Sequence, residues 1–298
     1  MANKNVKVSV SGINPVASGS NWFAIDETGT FQIDHDIVAT IWLVGGGCDG
    51  EKGDWNGKTF VALGGSGGDG GYVYTTSNVS ISKNTDCVTV IAEANDKAGT
   101  TLTINDTKYR CNQSGYTKTI GGGGSSITGS ATGSTYSNLI EPTSGQTGVS
   151  TPYQVIGSSG GGAMACDGHD HRTDQGSGGV GAGKGGGHRQ EGNNAINHGC
   201  GGGGGDGCGA VAIGHDGGSG MKGCIVVSYT VIDPPTLVVQ KHYKRVCNTH
   251  RSCDTDYYSN SSKTSCCGGG CGCGCGGNKS AYASDYTDTI HIGSSGVK

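Results

Sequence analysis

The sequence predicts a mainly β protein, in which a β-sandwich or jelly-roll-like scaffold carries an inserted bundle of polyglycine II helices. The first 120 residues contain short Val-, Ile-, Thr- and Tyr-rich segments separated by turn signals, which is typical of all-β architectures. Between Gly157 and Gly223, 27 of 67 residues are glycine, and the strongly β segment Cys224–Tyr229 follows directly. No segment has the periodicity of an amphipathic helix. The last part of the chain is predicted to be a small cysteine-rich region.

All residues of Ile37–Val44 except Thr40 are apolar, so both faces of this segment are apolar. This pattern predicts a central strand buried on both faces. Turn signals at Asp26–Gly29 and Asn105–Asp106 separate neighbouring elements. Further strands are predicted at Val6–Val10, Phe31–Ile33, Tyr72–Thr76, Val79–Ile81, Cys87–Ile91, Thr101–Ile104 and Lys108–Arg110.

The glycine zone from Gly157 to Gly223 cannot build an ordinary core, because glycine has no side chain to bury. It is either a loose linker or a structure held by backbone hydrogen bonds. Polyglycine can adopt a left-handed helix with three residues per turn, whose amides must pair with neighbouring chains. A β segment on each side of the zone favours this ordered insertion. Collagen is excluded, because there are only 5 prolines and no strict three-residue glycine period.

Three parts of the chain are predicted: an N-terminal strand region or attachment segment at 1–28, a glycine-rich β domain at 29–233, and a cysteine-rich module at 234–298. Asp233-Pro-Pro marks the second boundary. The module holds seven of the 14 cysteines. Disulfides or cross-links between subunits are favoured, while thiolate binding of Zn²⁺ or Cu⁺ stays open. The candidates are Cys247, Cys253, Cys266, Cys267, Cys271, Cys273 and Cys275.

The polar insert Cys166–Asp174 interrupts the glycine zone, and a second polar stretch follows His188. Turns between rigid helices would project such side chains from a fixed base, which suits recognition. The predicted solvent-facing binding residues are His169, Asp170, His171, Arg172, Arg189, Gln190, Glu191 and Asn193. Imidazoles could alternatively bind a metal through His169, His171, His188 and His198. Their spacing fits no standard zinc pattern, so no metal site and no cofactor are predicted.

Composition excludes several functional classes. The net charge of −4 gives no electrostatic case for nucleic acid, and no apolar run is long enough for membrane insertion. The N-terminus lacks the apolar region of a signal peptide, whereas the cysteine content suits an oxidising compartment. Synthesis in the cytoplasm followed by use in a virion or outside the cell would explain both the missing signal peptide and the high cysteine content. Gly64–Gly68 and Gly178–Lys184 match enzyme motifs only through their glycines, so the protein is predicted not to be an enzyme.

Three segments carry a resemblance to a known family. They are Ala39–Gly47 (Ala-Thr-Ile-Trp-Leu-Val-Gly-Gly-Gly, preceded by Gly29–Ile33), Gly67–Thr76 with Val79–Ser82, and Gly217–Tyr229. In this order they resemble the glycine-rich domain of phage and prophage tail-associated proteins, such as tail fibres and adhesins. The resemblance covers roughly residues 29–231.

The resemblance implies a β scaffold with packed polyglycine II helices in a virion appendage or surface adhesin. The expected function is therefore structural and adhesive: a tail-fibre, tail-tip or capsid-surface component that displays rigid loops for host attachment. The expected partners are further copies of the chain (a trimer, by analogy with fibres), other virion or tail proteins, and a host cell-surface receptor. The alternative is an extracellular matrix, surface-layer or filament-forming protein cross-linked through its cysteines.

Overall fold

The structure is a computed structural model that describes residues 7–55, 60–111, 118–129, 136–166, 175–208 and 213–232. All of them belong to the unit Met1–Asp233. These residues form nineteen β-strands and no helix, so the all-β prediction is confirmed. None of the described segments is an apolar helix of membrane-spanning length. The cysteine-rich module at 234–298 lies outside the described residues.

Two five-stranded antiparallel sheets form the sandwich. Sheet I has the strand order β1 (Val10–Gly12), β4 (Gly29–Ile33), β9 (Cys87–Val90), β10 (Thr101–Ile104) and β11 (Thr107–Arg110). Sheet II has the order β2 (Ala17–Ser18), β3 (Trp22–Ile25), β19 (Cys224–Val231), β5 (Ile37–Val44) and β8 (Val73–Ile81).

The inner faces of sheets I and II share one apolar core. Phe31 of sheet I meets Phe23 of sheet II edge to face, with ring centroids 5.7 Å apart. Strand β5, predicted to be central, is an interior strand beside the edge strand β8, and only its inner face is fully buried, because Thr40 and Trp42 on the outer face remain partly accessible. In β19 the outer face is also buried along its first half.

The remaining strands form smaller sheets. One has four antiparallel strands in the order β13 (Tyr136–Ile140), β12 (Ser126–Gly129), β7 (Phe60–Leu63) and β6 (Asp54–Trp55). Another joins β16 (Ala165–Cys166), β17 (Gly207–Cys208) and β18 (Ile213–Gly214). A hairpin of β14 (Val149–Ser150) and β15 (Val155–Ile156) packs on the outer face of sheet II.

Extended glycine-rich segments with no assigned helix or strand run between the sandwich and the two small sheets. We call them together the glycine lattice. They comprise residues 45–53, 64–72, 119–125, 143–148, 157–164, 175–179, 181–187, 190–197, 199–206 and 215–223. The lattice is wider than the predicted zone of 157–223, because the first four segments also belong to it. Residues 45–53, 64–72 and 215–223 continue directly into β5, β8 and β19, which anchors the lattice to sheet II.

Candidate functional site

Segment 199–206 lies at the centre of the glycine lattice. From residue 201 to residue 206 its amide donors repeat every three residues, with N···O distances of 2.9–3.1 Å. Amides 201 and 204 bond segment 157–164, amides 202 and 205 bond segment 45–53, and amides 203 and 206 bond segment 190–197. Its carbonyls accept from three more segments, 64–72, 181–187 and 215–223. The central segment therefore donates hydrogen bonds to three neighbouring segments and accepts them from three others, so six main chains surround it.

Close approach of these main chains requires glycine. A Cβ added at Gly203 would lie 2.0 Å from the Lys184 carbonyl oxygen, and one at Gly68 would lie 2.0 Å from that of Cys48. Neither distance leaves room for a side chain, and the obstacle is backbone rather than a flexible side chain. The lattice therefore depends on backbone hydrogen bonds where an ordinary domain depends on apolar side chains.

The lattice has two different ends. At the proximal end its segments join the sandwich, as at Gly45 and Gly223. At the distal end they run into the two small sheets or turn back directly, as between segments 181–187 and 190–197. Four stretches that lie outside the described residues, 56–59, 130–135, 167–174 and 209–212, are each flanked by residues at this distal end. The described residues on either side of these four stretches therefore lie at the same end of the lattice.

The turn at His188 and Arg189 is fixed from within the lattice. Arg189 has a left-handed backbone (φ 56°), and its amide donates to Asp206 Oδ2 at 2.6 Å. Asp206 is fully buried at the distal end of the central segment, and its own amide donates to the Gln190 carbonyl at 3.1 Å. A buried carboxylate thus holds the turn, while the side chains of Arg189, Gln190 and Glu191 stay exposed.

The structure places the other predicted binding residues as follows. Asn193 has an exposed side chain, but it lies inside segment 190–197 rather than in a turn, with its amide bonded to the Lys184 carbonyl. His169, Asp170, His171 and Arg172 lie outside the described residues, in the stretch between Cys166 and Gln175.

The alternative metal site would need His188 and His198 to meet, but the structure places these two residues at opposite ends of the lattice, and His169 and His171 lie outside the described residues. His188 belongs to the distal turn, whereas His198 precedes segment 199–206 at the proximal end. The whole segment 190–197 separates them. Among the residues that the structure describes, no group of three or more His, Cys, Asp or Glu side chains could hold a metal ion.

The cysteines with described side chains are free thiols: Cys48, Cys87, Cys111, Cys200 and Cys224. Burial raises the pKa of Cys111 to about 11 and that of Cys87 to about 12. These buried thiols stay protonated at neutral pH and act as small apolar side chains. The predicted cross-linking cysteines, from Cys247 to Cys275, lie outside the described residues.

A polar cluster that the sequence did not predict joins the proximal end of the lattice to sheet II. His198 is 4% exposed; its Nδ1 lies 2.7 Å from the Gln154 amide nitrogen and its Nε2 lies 3.3 Å from Asp26 Oδ2. Lys222 Nζ approaches the same Asp26 oxygen at 3.0 Å. Burial of Asp26 is outweighed by its hydrogen bonds to Lys222 and His198, so the pKa of Asp26 is lowered. Burial lowers the pKa of His198, although Asp26 opposes the shift.

This cluster predicts acid sensitivity. His198 is held neutral in the folded protein, so the unfolded chain binds the extra proton as the pH falls through about 6.5, the ordinary pKa of histidine. Asp26 adds a loss of stability at still lower pH, because its pKa is lowered on folding. We expect the thermal midpoint to fall between pH 7 and pH 5, and His198→Gln to flatten that fall.

The matched control is His35→Gln, since the His35 side chain is 40% exposed and lies beside Asp34 at the surface. The fall in the midpoint should persist in this variant, because the cluster around His198 is intact. An equally steep fall in the His198→Gln variant, measured by calorimetry at both pH values, would contradict the assignment.

No family of known proteins matches the chain, and no curated protein sequence matches it either. The resemblance to glycine-rich tail domains therefore stays a prediction from the motifs. In the structure, each of the three motif segments crosses a junction between sheet II and the lattice: Ala39–Gly47 leaves β5, Gly67–Thr76 enters β8, and Gly217–Tyr229 enters β19.

Proposed function

We propose that this protein is a non-enzymatic structural and adhesive component of a phage or phage-like particle. In this proposal the glycine lattice is a rigid stalk, and its distal end displays loops to a host surface. The observation that carries the proposal is the central segment 199–206 with main chains on all six sides. Such an arrangement fixes the backbone without an apolar core and holds the loop termini on a stiff base.

The lattice segments are proposed to be polyglycine II helices. A helix with three residues per turn points every third amide in the same direction, which matches the three-residue donor period of segment 199–206. Among the described glycines only Gly12, Gly99, Gly157, Gly181 and Gly199 have positive φ, and the rest are free to keep the extended conformation of such helices. The scaffold is proposed to be jelly-roll-like, which the repeated crossing of the chain between sheets I and II supports.

Binding is proposed to occur through the distal loops, including His169, Asp170, His171 and Arg172 together with the exposed Arg189, Gln190 and Glu191. Copies of the chain, in a trimer by analogy with fibres, would multiply weak single contacts by avidity. The cysteine-rich module is proposed to contribute cross-links outside the cell. Synthesis in the cytoplasm and release with the particle complete this proposal.

The proposal predicts that altering the distal loops abolishes attachment and leaves the scaffold folded. Fluorescently labelled full-length protein is titrated onto a panel of whole bacterial strains by flow cytometry. In the His169→Ala/His171→Ala/Arg189→Ala variant, we expect binding to the recognised strain to fall at least tenfold with an unchanged unfolding midpoint.

The control is Lys108→Ala, which removes an exposed charge from β11 in the sandwich, far from the distal end. It should bind like the parent protein. Full binding by the triple variant, or absence of binding to every strain, would refute the proposed role of the loops.

A further inference from the structure

The outer face of sheet II has two unlike halves. Near the lattice its outward side chains, such as Val44 and Cys224, are fully buried beneath the β14–β15 hairpin and the lattice. Farther along the strands the outward side chains include Thr40, Ser77 and Ser228, which are partly or fully exposed, beside the half-buried Val38. Thr40 Oγ1 donates to Ser77 Oγ at 3.2 Å, which places both hydroxyls on this face. The hairpin therefore covers one half of this face and leaves the other half open and rich in hydroxyl groups.

Two tryptophans lie at the boundary between the covered half and the open half of this face. Trp22 on β3 pairs with Ser228 of β19, and Trp42 on β5 pairs with Val226 of the same strand. With β19 between them and a two-residue offset, their Cα atoms lie about 12 Å apart, from the usual strand spacing and rise. Both indoles are partly buried and partly accessible. A ligand a few sugar rings long would span them.

The orientation of Trp22 is fixed by its neighbours. Its ring lies 5.8 Å from that of Tyr153, at an interplanar angle of 32°. A Cβ at Gly19 would lie 2.2 Å from Trp22 Nε1, so only glycine at position 19 leaves room for the indole. A partly exposed aromatic ring held in place on both sides loses little side-chain entropy when a ligand stacks on it.

The geometry points to this face as a binding site for a neutral oligosaccharide. The strands β3, β5, β8 and β19 contain no charged residue, and the charges nearest to this face, such as Asp36 and Lys222, lie beyond the strand ends, so the middle of the face offers no partner to an anion or a cation. It offers indole faces for the C–H side of sugar rings and hydroxyls for their hydroxyl edges. A lipid surface would leave those hydroxyls without partners, which disfavours it. This site is independent of the proposed distal loops, since the lattice separates the two.

The test uses the full chain and tryptophan fluorescence. The probes are maltohexaose, cellohexaose and laminarihexaose, titrated to millimolar concentration, with heparin as the charged comparison. We expect at least one neutral probe to bind with a saturable fluorescence change. The variants Trp42→Leu and Thr40→Ala/Ser228→Ala should each weaken binding of that probe at least tenfold. The second variant keeps both tryptophans, so it tests the site even if Trp42→Leu fails to fold. Heparin should give no saturable change.

Two control variants locate the site. Trp55→Phe removes a tryptophan of β6, which is not part of sheet II, and should bind like the parent protein. The His169→Ala/His171→Ala/Arg189→Ala variant should also keep oligosaccharide binding, so that loss of distal attachment and loss of this site are distinguishable. Binding that survives both sheet II variants would overturn the inference, as would tighter binding of heparin or no response to any neutral probe.

Discussion

Replacing Gly203 by alanine should destabilise the protein by about 3 kcal/mol or more, because the added methyl group meets main chain on a bonded neighbour. Its Cβ would lie 2.0 Å from the Lys184 carbonyl oxygen, which itself accepts the Asn193 amide at 2.9 Å. Relief of this clash must push segment 181–187 away from the centre. That movement breaks the hydrogen bonds that Gly183 and Gly186 donate to the central segment, and it also disturbs the bond from the Asn193 amide to the Lys184 carbonyl.

The matched control is Gly123→Ala. Gly123 is exposed, and a Cβ there would meet only Thr143 Oγ1, at an ordinary 3.6 Å. Its effect should stay within about 0.5 kcal/mol of zero. Urea unfolding gives the free energies, and amide exchange of residues 199–206 reports on the lattice directly. Rapid exchange of these amides in the parent protein, or equal stability of the two variants, would show that the segments are a loose tether.

Local patterns predicted the sandwich strands well, and the differences have local causes. Tyr72–Thr76 and Val79–Ile81 were expected as two strands, but they form the single strand β8. Asn78 between them has a left-handed backbone, and the pairing with β5 shifts its register there. The interruption is a bulge in an edge strand rather than a turn. Strand β3 was not predicted, because Trp22–Ile25 has no alternation of polar and apolar residues.

The sequence indicated backbone hydrogen bonding in the glycine zone, but it did not indicate how far the lattice extends beyond that zone. Residues 45–53 contain Asp49, Glu51 and Lys52, and they lie outside the predicted glycine zone. Their glycines nevertheless recur at Gly47, Gly50 and Gly53, and each faces a carbonyl of the central segment. A three-residue spacing of glycine was therefore the available signal. Which segments become neighbours is set by the whole fold, so the sequence could not give it.

The candidate sites show the same limit. The exposed distal turn at Arg189 was predicted from its polarity, but the buried Asp206 that holds it lies 17 positions away among glycines. The cluster around His198 joins residues 172 positions apart, and no local pattern encodes that contact. The face of Trp22 and Trp42 depends on β19, which separates them in space and follows both by more than 180 residues. Long-range strand pairing decides all three.

Replacing Phe31 by alanine should lower the free energy of unfolding by about 3–5 kcal/mol, because Phe31 is fully buried between the two sheets. Its ring contacts that of Phe23 across the core, so the cavity weakens the attachment of sheet I to sheet II. The control Val88→Ala removes a 43% exposed side chain of sheet I and should cost no more than about 1 kcal/mol.

The same variant tests whether the sandwich and the glycine lattice unfold together. Strands β5, β8 and β19 run from the sandwich core directly into lattice segments 45–53, 64–72 and 215–223. If they form one cooperative unit, Phe31→Ala should reduce the amide protection of segment 199–206 by the same free energy as it reduces protection of β5. Retained protection in the lattice, with loss confined to sheets I and II, would show instead that backbone hydrogen bonds alone keep the lattice folded.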